Sequence, residues 1–270
     1  MRRGKEMKSV QQVLAEKFNL IQTELIRFQN NPYSIDRVHD LRVSIRTLRG
    51  LFKFLKQEIP QTTFEDIDQT LSDAAMIFGP LRELDVLISQ ASSFAYAHPD
   101  SQSDYQSLFQ DFHDKREAAM HQVLAAASQQ QLMADLDNIE EHLKTLAFDK
   151  TTDWHKYIVR ELKRRTDKVI RNYDRLDFNN YGRVHQIRKK AKTVRYAATT
   201  FADFAPKLAN KVGKKAKAIQ DESGRITDAH VNDGLLRQFA ARTNNPSEAK
   251  LLLQMAQAQR NIIADSGTKG

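Results

Sequence analysis

The sequence predicts an all-α fold built from two pseudo-symmetric antiparallel four-helix bundles. Its 270 residues include only 9 Gly and 6 Pro, and residues that favour helices over strands are abundant. Apolar residues recur at helical spacing through most of the chain. The sequence pattern of one basic helix also occurs twice, about 146 residues apart, which indicates duplicated halves rather than a solenoid of short units.

Turn residues divide the first half into helices. The first helix ends before Pro32, the second begins at a cap formed by Asp36 and ends before Pro60, and the third is broken or kinked at Gly79 and Pro80. Further helices are predicted at 81–97, at roughly 103–128 and at 130–148. These segments form a first predicted lobe, residues 1–148.

The second half repeats this order as a lobe at residues 149–265. Asp153 is a good N-cap for its first helix, and Asn180 and Gly182 lie in the turn before the second basic helix. Pro206 opens a lysine-rich stretch, and a last helix follows at 247–264. Short loops favour antiparallel packing of neighbouring helices, so one domain spanning 1–270 with two related helical lobes is expected.

Charge is distributed unevenly along the chain. The net charge is +8, but residues 150–217 alone carry 20 basic and 6 acidic residues. Such a concentration indicates an anionic partner. The chain has no Cys, which excludes disulfides and thiolate chemistry and suits a reducing compartment. No long apolar run or signal-like segment occurs, so a cytoplasmic protein without membrane contact is predicted.

The repeated basic helix, at 38–55 and 184–201, carries the strongest functional signal. At about 100° per residue, its cations fall within an arc of about 80°, while apolar residues occupy another face. Two further lysines extend the first row, and no carboxylate interrupts it. The two rows are His39, Arg42, Arg46, Arg49, Lys53 and Lys56, and His185, Arg188, Lys192 and Arg195. Pseudo-symmetry would face both rows toward one cleft.

Most of these cations are arginines, whose planar guanidinium groups bind phosphate oxygens in pairs. Cations that recur turn after turn suit a linear ligand with evenly spaced charges, such as inorganic polyphosphate or a nucleic acid backbone. His39 and His185 are expected in the first helical turn, where free backbone N–H groups favour an anion. They either donate to phosphate or bond within the bundle. Flanking or weaker phosphate ligands are Arg82, Arg160, Lys163, Arg164, Arg171 and Lys189.

The acidic and metal-ligating residues predict no catalytic or metal site. His39 and Asp40 form a His-Asp pair, but Gln186 replaces the Asp in the second copy, and neighbours on a helix point about 100° apart. No HExxH, GxxxxGK[ST] or GxSxG sequence occurs. Carboxylates at Glu83, Asp85 and Asp228 are expected to orient arginines of the two rows. No cofactor, metal or catalytic residue is therefore predicted.

Motifs in both halves resemble the CHAD family, the conserved histidine α-helical domain. The two basic rows match its His-x-x-Arg-x-x-x-Arg/Lys-x-x-Arg pattern, followed by Tyr196 in the second copy. Residues 79–85, GPLRELD, are similar to its Gly-x-Leu-Arg-Asp-x-Asp signature, and 224–228, GRITD, to the counterpart in the second half. Glu83 replaces the usual Asp, and Ser223 replaces the usual Leu.

The resemblance implies two four-helix bundles, a central basic surface and non-catalytic binding of inorganic polyphosphate at polyphosphate granules. Some family members carry a CYTH domain, for which this chain has no room, so a granule-associated or polyphosphate-metabolising enzyme is expected only as a partner. Two alternatives are left open. Single-stranded nucleic acid is disfavoured because the rows hold no aromatics for base stacking, and a metal-dependent phosphohydrolase is disfavoured because metal ligands are lacking.

Overall fold

The computed structural model describes residues 8–99 and 104–267, which form ten α-helices and two short 3₁₀ helices, with no strand in these ranges. The helices are α1 Val10–Asn30, α2 Ile35–Leu55, α3 Gln61–Met76, α4 Gly79–Ala97, α5 Tyr105–Leu124, α6 Ala126–Thr145, α7 Trp154–Tyr173, α8 Tyr181–Thr200, α9 Pro206–Ala240 and α10 Pro246–Gly267. None of the described helices is long and apolar enough to cross a membrane.

Side-chain caps fix where several helices begin. The carboxylate of Asp153 accepts a hydrogen bond from the backbone N–H of Lys156 at 3.1 Å, which confirms it as the N-cap of α7. The predicted cap of α2 was wrong: Ser34 caps this helix by accepting from the N–H of Arg37, and Asp36 lies in the first turn. There its negative charge still favours the helix dipole.

The two halves differ at their glycine motifs, of which only the first was predicted to break a helix. α3 ends at Met76 and α4 begins at Gly79, so the predicted break is confirmed. In the second half, α9 runs without interruption through Gly224, because no proline follows that glycine and every backbone N–H remains available. The boundary between α5 and α6 lies at Ala125, a few residues earlier than predicted.

Two hydrophobic cores hold the helices together. The larger core joins α1, α2, α3 and α6 to α7, α8 and the N-terminal part of α9. A smaller core joins α4 and α5 to α10 and the C-terminal part of α9. Each core therefore contains helices from both halves, and neither coincides with a predicted lobe. The pair of pseudo-symmetric bundles, with a boundary at residue 148, stays a prediction.

Charge separates the surfaces of the larger core. The packed helices α3 and α6 carry eight carboxylates and one lysine, whereas the packed helices α7 and α8 carry thirteen Lys and Arg residues and two carboxylates. α2 packs against both α3 and α8 and so lies between the acidic and the basic surface. A polyanion is attracted to one side of the molecule and repelled from the other.

Candidate functional site

The two basic helices meet directly, because a glycine lies at their contact. Gly50 of α2 is buried, and a Cβ atom at that position would lie only 3.0 Å from Cδ2 of Tyr196 on α8. A larger side chain would push the helices apart. The close approach of α2 and α8 brings the cationic faces of both helices to one cavity.

This cavity, which we call the central cleft, has a volume of about 500 Å³ and lies between α2, α4, α8 and α9. Its basic lining residues are His39, Arg42, Arg46, Arg82, Arg188, Lys192 and Arg195. Glu83 and Asp228 are the carboxylates that line it, and Gln90, Gln220 and Asn232 contribute amides. The cleft therefore carries a strong excess of positive charge.

Crowding and burial of these cations shift their pKa values downward. Burial, followed by the charges of Arg46 and Arg188, lowers the pKa of Lys192 to about 7. Burial, followed by the charges of Arg46 and Arg82, lowers the pKa of Arg42 to about 10. The pKa of Arg46 is also lowered, again mainly by burial. An anion in the cleft would relieve this repulsion.

Few protein groups compensate the cleft cations. Arg188 forms an ion pair with Asp228 at 3.0 Å, and Nε of Arg42 donates to the carbonyl oxygen of Ala75 at 3.3 Å. Several buried polar atoms of the cleft have no hydrogen-bond partner among the described residues: Nε of Arg188 and Arg195, Oε1 of Gln90 and Gln220, and Nδ2 of Asn232. Unsatisfied buried polar groups clustered around one cavity point to a polar ligand.

The two histidines differ in position. His39 lines the central cleft, and partial burial followed by the charge of Arg82 lowers its pKa. His185 lies outside the cleft lining, with its ring 5.8 Å from that of Tyr181, and burial followed by the charge of Lys189 lowers its pKa. The predicted first-turn location was wrong for both. The first hydrogen bonds of their helices, from Val38 to Ser34 and from Val184 to Asn180, already form one residue earlier.

The structure does not bring the remaining cations of the first row into the cleft. Arg49 donates to both carboxylate oxygens of Asp68 on α3, at 2.6 and 3.1 Å, and Nζ of Lys53 lies 3.2 Å from the same carboxylate. Lys56 follows the end of α2, and its Nζ lies 4.6 Å from the ring centre of Phe64. The row turns toward α3 beyond Arg46, because that helix supplies the counter-charge.

The weaker candidates on α7 and α8 lie in a different place. Arg164 and Lys189 line a separate cavity of about 330 Å³ between α7 and α8, which we call the α7–α8 groove, together with Lys53. Arg160 and Arg164 lie 3.8 and 2.6 Å from Glu161, a buried carboxylate. Lys163 and Arg171 are exposed and also lie outside the central cleft. Whether these residues bind phosphate stays a prediction.

The carboxylates behave differently from one another. Asp228 pairs with Arg188, as expected for a group that orients an arginine of the basic rows. For Asp85 this expectation was wrong, because its buried carboxylate accepts from Nε of Arg116 on α5 at 2.8 Å. Glu83 is exposed and lines the cleft, where its negative charge raises the pKa of Arg42 and offsets part of the lowering caused by burial and by neighbouring arginines.

Sequence reasoning missed two cleft amides. Gln90 lies seven residues after Glu83 on α4, and Asn232 lies four residues after Asp228 on α9. Residues at these spacings share a helix face. Projecting each acidic motif residue along its own helix would therefore have identified both amides.

Within residues 8–99 and 104–267, no group of three or more His, Cys, Asp and Glu side chains is arranged to hold a metal ion. Asp40, the neighbour of His39, instead lies 3.1 Å from the guanidinium group of Arg37. The described residues thus offer cations and amides to a ligand rather than a cluster of metal-binding carboxylates.

Comparison with known proteins identifies the family. A sequence profile of the CHAD domain matches residues 12–237. The crystal structure of the CHAD domain from the plant Ricinus communis is similar, with a TM-score of 0.68, 19% identity and coverage of 93% of this chain and 85% of that chain. PptA from Streptomyces chartreusis is similar with a TM-score of 0.72, 13% identity and coverage of 96% of both chains.

No curated protein sequence matches the chain. The two structures are below 25% identity, so they show a shared all-helical fold and nothing about a ligand. The sequence profile covers well over half of the 270 residues and includes both basic rows and both glycine motifs. The resemblance found in the sequence is confirmed, and the chain belongs to the CHAD domain family.

Proposed function

We propose that this protein is a non-catalytic module that binds inorganic polyphosphate in the central cleft. The observation that carries the proposal is the lining of that cleft by described residues: six Lys and Arg side chains and His39, from α2, α4 and α8, against two carboxylates, in about 500 Å³. Burial and mutual repulsion already depress the pKa of Arg42, Arg46 and Lys192. Such a cleft gains most from a ligand that carries several negative charges.

The kind of cation favours phosphate. Five of the seven basic lining residues are arginines, which present paired N–H donors to phosphate oxygens and remain charged at neutral pH. The motif positions 188–195 span about 10 Å of helix, more than one phosphate group requires. A chain of linked phosphates matches that spacing better than a compact metabolite.

The proposal includes the expected partners and origin of the fold. α2 and α8 are proposed to be copies of one ancestral helix, related by the pseudo-symmetry of two bundles. A granule-associated or polyphosphate-metabolising enzyme would act beside this module, which would itself lie at cytoplasmic polyphosphate granules. Phosphate release from polyphosphate by the purified protein with added divalent ions would instead favour the phosphohydrolase alternative.

Single-stranded nucleic acid is the second candidate ligand. Nucleic-acid sites add aromatic side chains that stack with bases, whereas Tyr196 is the one Phe, Tyr or Trp among the described residues that line the central cleft. Its ring is also covered by the guanidinium group of Arg195, 4.9 Å from the ring centre. The cleft therefore offers little surface for stacking.

A competition experiment tests the proposal. Labelled long-chain polyphosphate is bound to the full chain at physiological salt and displaced with unlabelled polyphosphate or single-stranded RNA. We expect polyphosphate to win and its affinity to fall steeply with salt, by analogy with counterion release from nucleic acids. Displacement by RNA at lower concentration, or an affinity that does not change with salt, would contradict the proposal.

Paired variants locate the binding surface. The double variant R46Q/K192Q removes two cleft cations, and we expect its affinity for polyphosphate to fall by on the order of 100-fold, since charged hydrogen bonds contribute about 1.5–3 kcal/mol each. The matched control K211Q/K215Q removes two exposed lysines of α9 that line neither the cleft nor the α7–α8 groove. Equal losses in both variants would mean that binding is not located in the cleft.

A further inference from the structure

A second cavity adjoins the central cleft. It has a volume of about 540 Å³ and runs along the contact of α8 with α9, and we call it the α8–α9 groove. Its polar lining residues include Arg195, Asn210, Lys214 and Lys217. Of the described residues that line the central cleft, Arg195 alone also lines this groove, so the two cavities meet at its side chain.

Arg195 is available at this junction. Its guanidinium group lies over the ring of Tyr196, and its buried Nε has no hydrogen-bond partner among the described residues. No carboxylate within the described ranges forms an ion pair with it, in contrast to Arg188, which pairs with Asp228. A buried, unpaired donor between two cationic cavities points to an anion that passes from one to the other.

The first part of α9 is positively charged, like the central cleft. Residues 206–220 include five lysines and no carboxylate. Lys214 and Lys217 line the groove beside Arg195, because α8 and α9 are joined by a short connection and run antiparallel. Asp203, in that connection, is the carboxylate of the lining and marks the far end of the groove. The groove is thus cationic beside Arg195, where Lys214 and Lys217 lie, and has its carboxylate at the opposite end.

The floor of the groove is narrow and smooth. Ala198, Ala209 and Gly213 line it, and a Cβ atom at Gly213 would lie 3.7 Å from the Cβ of Ala198. Small residues let α8 and α9 pack closely and leave no bulky side chain across the path. A flexible chain of phosphates can therefore lie along the helix contact with its oxygens near the lysines.

We propose that a polyphosphate chain leaves the central cleft over Arg195 and continues along the α8–α9 groove, where Lys214, Lys217 and Asn210 bind it. This inference rests on the proposed function and adds a preference for chain length. Residues 188–195 and 210–217 each span about 10 Å of helix, so the groove roughly doubles the length of ligand that the protein contacts. Short polyphosphates would occupy the cleft alone.

The α7–α8 groove is the competing exit, and it is less suitable. It holds Lys53, Arg164, Arg165, Lys168, Lys189 and Lys190, but shares no lining residue with the central cleft. Three of its cations are already paired: Lys53 with Asp68, and Arg164 and Arg165 with the buried carboxylate of Glu161 at 2.6 and 3.0 Å. Its positive charge is therefore partly compensated and separated from the cleft.

Two double variants and two ligands test this path. K214Q/K217Q removes the lysines of the α8–α9 groove, and K168Q/K190Q removes the same number of exposed lysines from the α7–α8 groove. Affinity is measured for tripolyphosphate and for polyphosphate of about a hundred units over a range of salt concentrations. Lys217 pairs with Asp221 on the surface, where loss of an ion pair has little effect on stability.

We expect K214Q/K217Q to bind tripolyphosphate within about twofold of wild type and to lose roughly tenfold in affinity for the long chain. Its salt dependence for the long chain should weaken by about 1.4 in slope, since each phosphate contact contributes about 0.7 in single strands. K168Q/K190Q should change the affinity for neither ligand by more than about twofold.

Equal losses in the two variants, or unchanged binding of the long chain by K214Q/K217Q, would overturn the path. A different result bears on the proposed function itself. If tripolyphosphate fails to bind the wild-type protein, or R46Q/K192Q binds both ligands normally, then the central cleft is not a polyphosphate site. The two failures are therefore distinguishable.

Discussion

The last arginine of the basic motif has different surroundings on α2 and on α8, although the two motifs match. On α2, Arg49 donates to Asp68 through two hydrogen bonds, and Lys53 lies 3.2 Å from the same carboxylate. On α8, the equivalent Arg195 has no carboxylate partner among the described residues and lies between the central cleft and the α8–α9 groove. Identical motif positions therefore have different surroundings.

The neighbouring helix causes this difference. α2 packs against α3, which carries four carboxylates and no Lys or Arg, whereas α8 packs against the first part of α9, where residues 206–220 carry five lysines and no carboxylate. A cation beside α3 contributes to folding through an ion pair. A cation beside the first part of α9, such as Arg195, remains available to a ligand. The packing partner, rather than the motif, decides which role a basic residue has.

Replacing the two equivalent arginines should show the largest contrast. We expect R195Q to reduce the affinity for long-chain polyphosphate by about tenfold, with an effect on stability limited to the lost contact with the Tyr196 ring, because Arg195 forms no ion pair among the described residues. R49Q should leave the affinity within about twofold of wild type. It should lower the free energy of unfolding by about 1 kcal/mol, because it removes the ion pair with Asp68 and its two hydrogen bonds. Binding and chemical unfolding of both variants measure these effects. Equal affinity losses in R195Q and R49Q would show that the two arginines contribute equally to binding.

A second contrast concerns Lys192 and Arg46, which occupy equivalent positions in the two rows. The pKa of Lys192 is about 7, so near neutral pH a bound polyphosphate would draw a proton onto it. We expect affinity to fall by about tenfold between pH 6 and 8.5. The charged groups that act on Lys192 are Arg46 on α2, Arg188 and Arg195 on α8, and Asp228 on α9. Lowered pKa values of His39 and His185 give the same trend at lower pH.

Stability of the unbound protein should respond to pH in the opposite sense. The pKa of Lys192 lies below the value of 10.5 expected in the unfolded chain, so between these values the unfolded chain binds the additional proton. Stability therefore rises with pH above about 7 while polyphosphate affinity falls. K192R is the control, because an arginine stays charged and should remove most of both trends. A wild-type affinity that is constant from pH 6 to 8.5 would contradict this assignment.

Removing the carboxylate on α3 should make Arg49 as available to a ligand as Arg195 is. D68N leaves Arg49 and Lys53 without their carboxylate, and we expect the affinity for long-chain polyphosphate to rise about threefold as the first row gains free charge. The free energy of unfolding should fall by about 1 kcal/mol, because Arg49 loses its charged hydrogen bonds. Titration of the ligand at constant salt measures the gain. An affinity equal to that of wild type would mean that the ion pair with α3 does not limit the first row.

The sequence predicted the elements that depend on local pattern, and missed those that depend on packing. Helix boundaries at Pro32 and Pro60, the break at Gly79 and the cap at Asp153 follow from turn and capping chemistry. The pairing of Arg49 with Asp68 does not, because the partner lies 19 residues away on another helix. Helical periodicity gives the direction of a side chain on its own helix but not which helix it faces.

The same limit explains the site. Offsets of three, seven and ten residues placed the cations of each row on one face, and seven of the sixteen residues expected to bind phosphate line the central cleft. Four of the other nine are engaged by carboxylates of α3 and α7. Asp68 pairs with Arg49 and Lys53, and Glu161 pairs with Arg160 and Arg164. α9 continues past Gly224, and that continuity carries Asp228 and Asn232 to the cleft.

The contact between the two helices offers the smallest expected effect. G50A places a Cβ atom 3.0 Å from Cδ2 of Tyr196, so the tyrosine ring or the helix must shift by a few tenths of an ångström. We expect a loss of about 1 kcal/mol in the free energy of unfolding and about a twofold loss in affinity, because α2 and α8 would separate slightly. The matched control is G234A in α9, where a Cβ atom meets no atom within 4 Å and higher helix propensity should stabilise the protein by up to about 1 kcal/mol. If G50A proves as stable as G234A, the close approach at Gly50 is not what holds the two basic rows together.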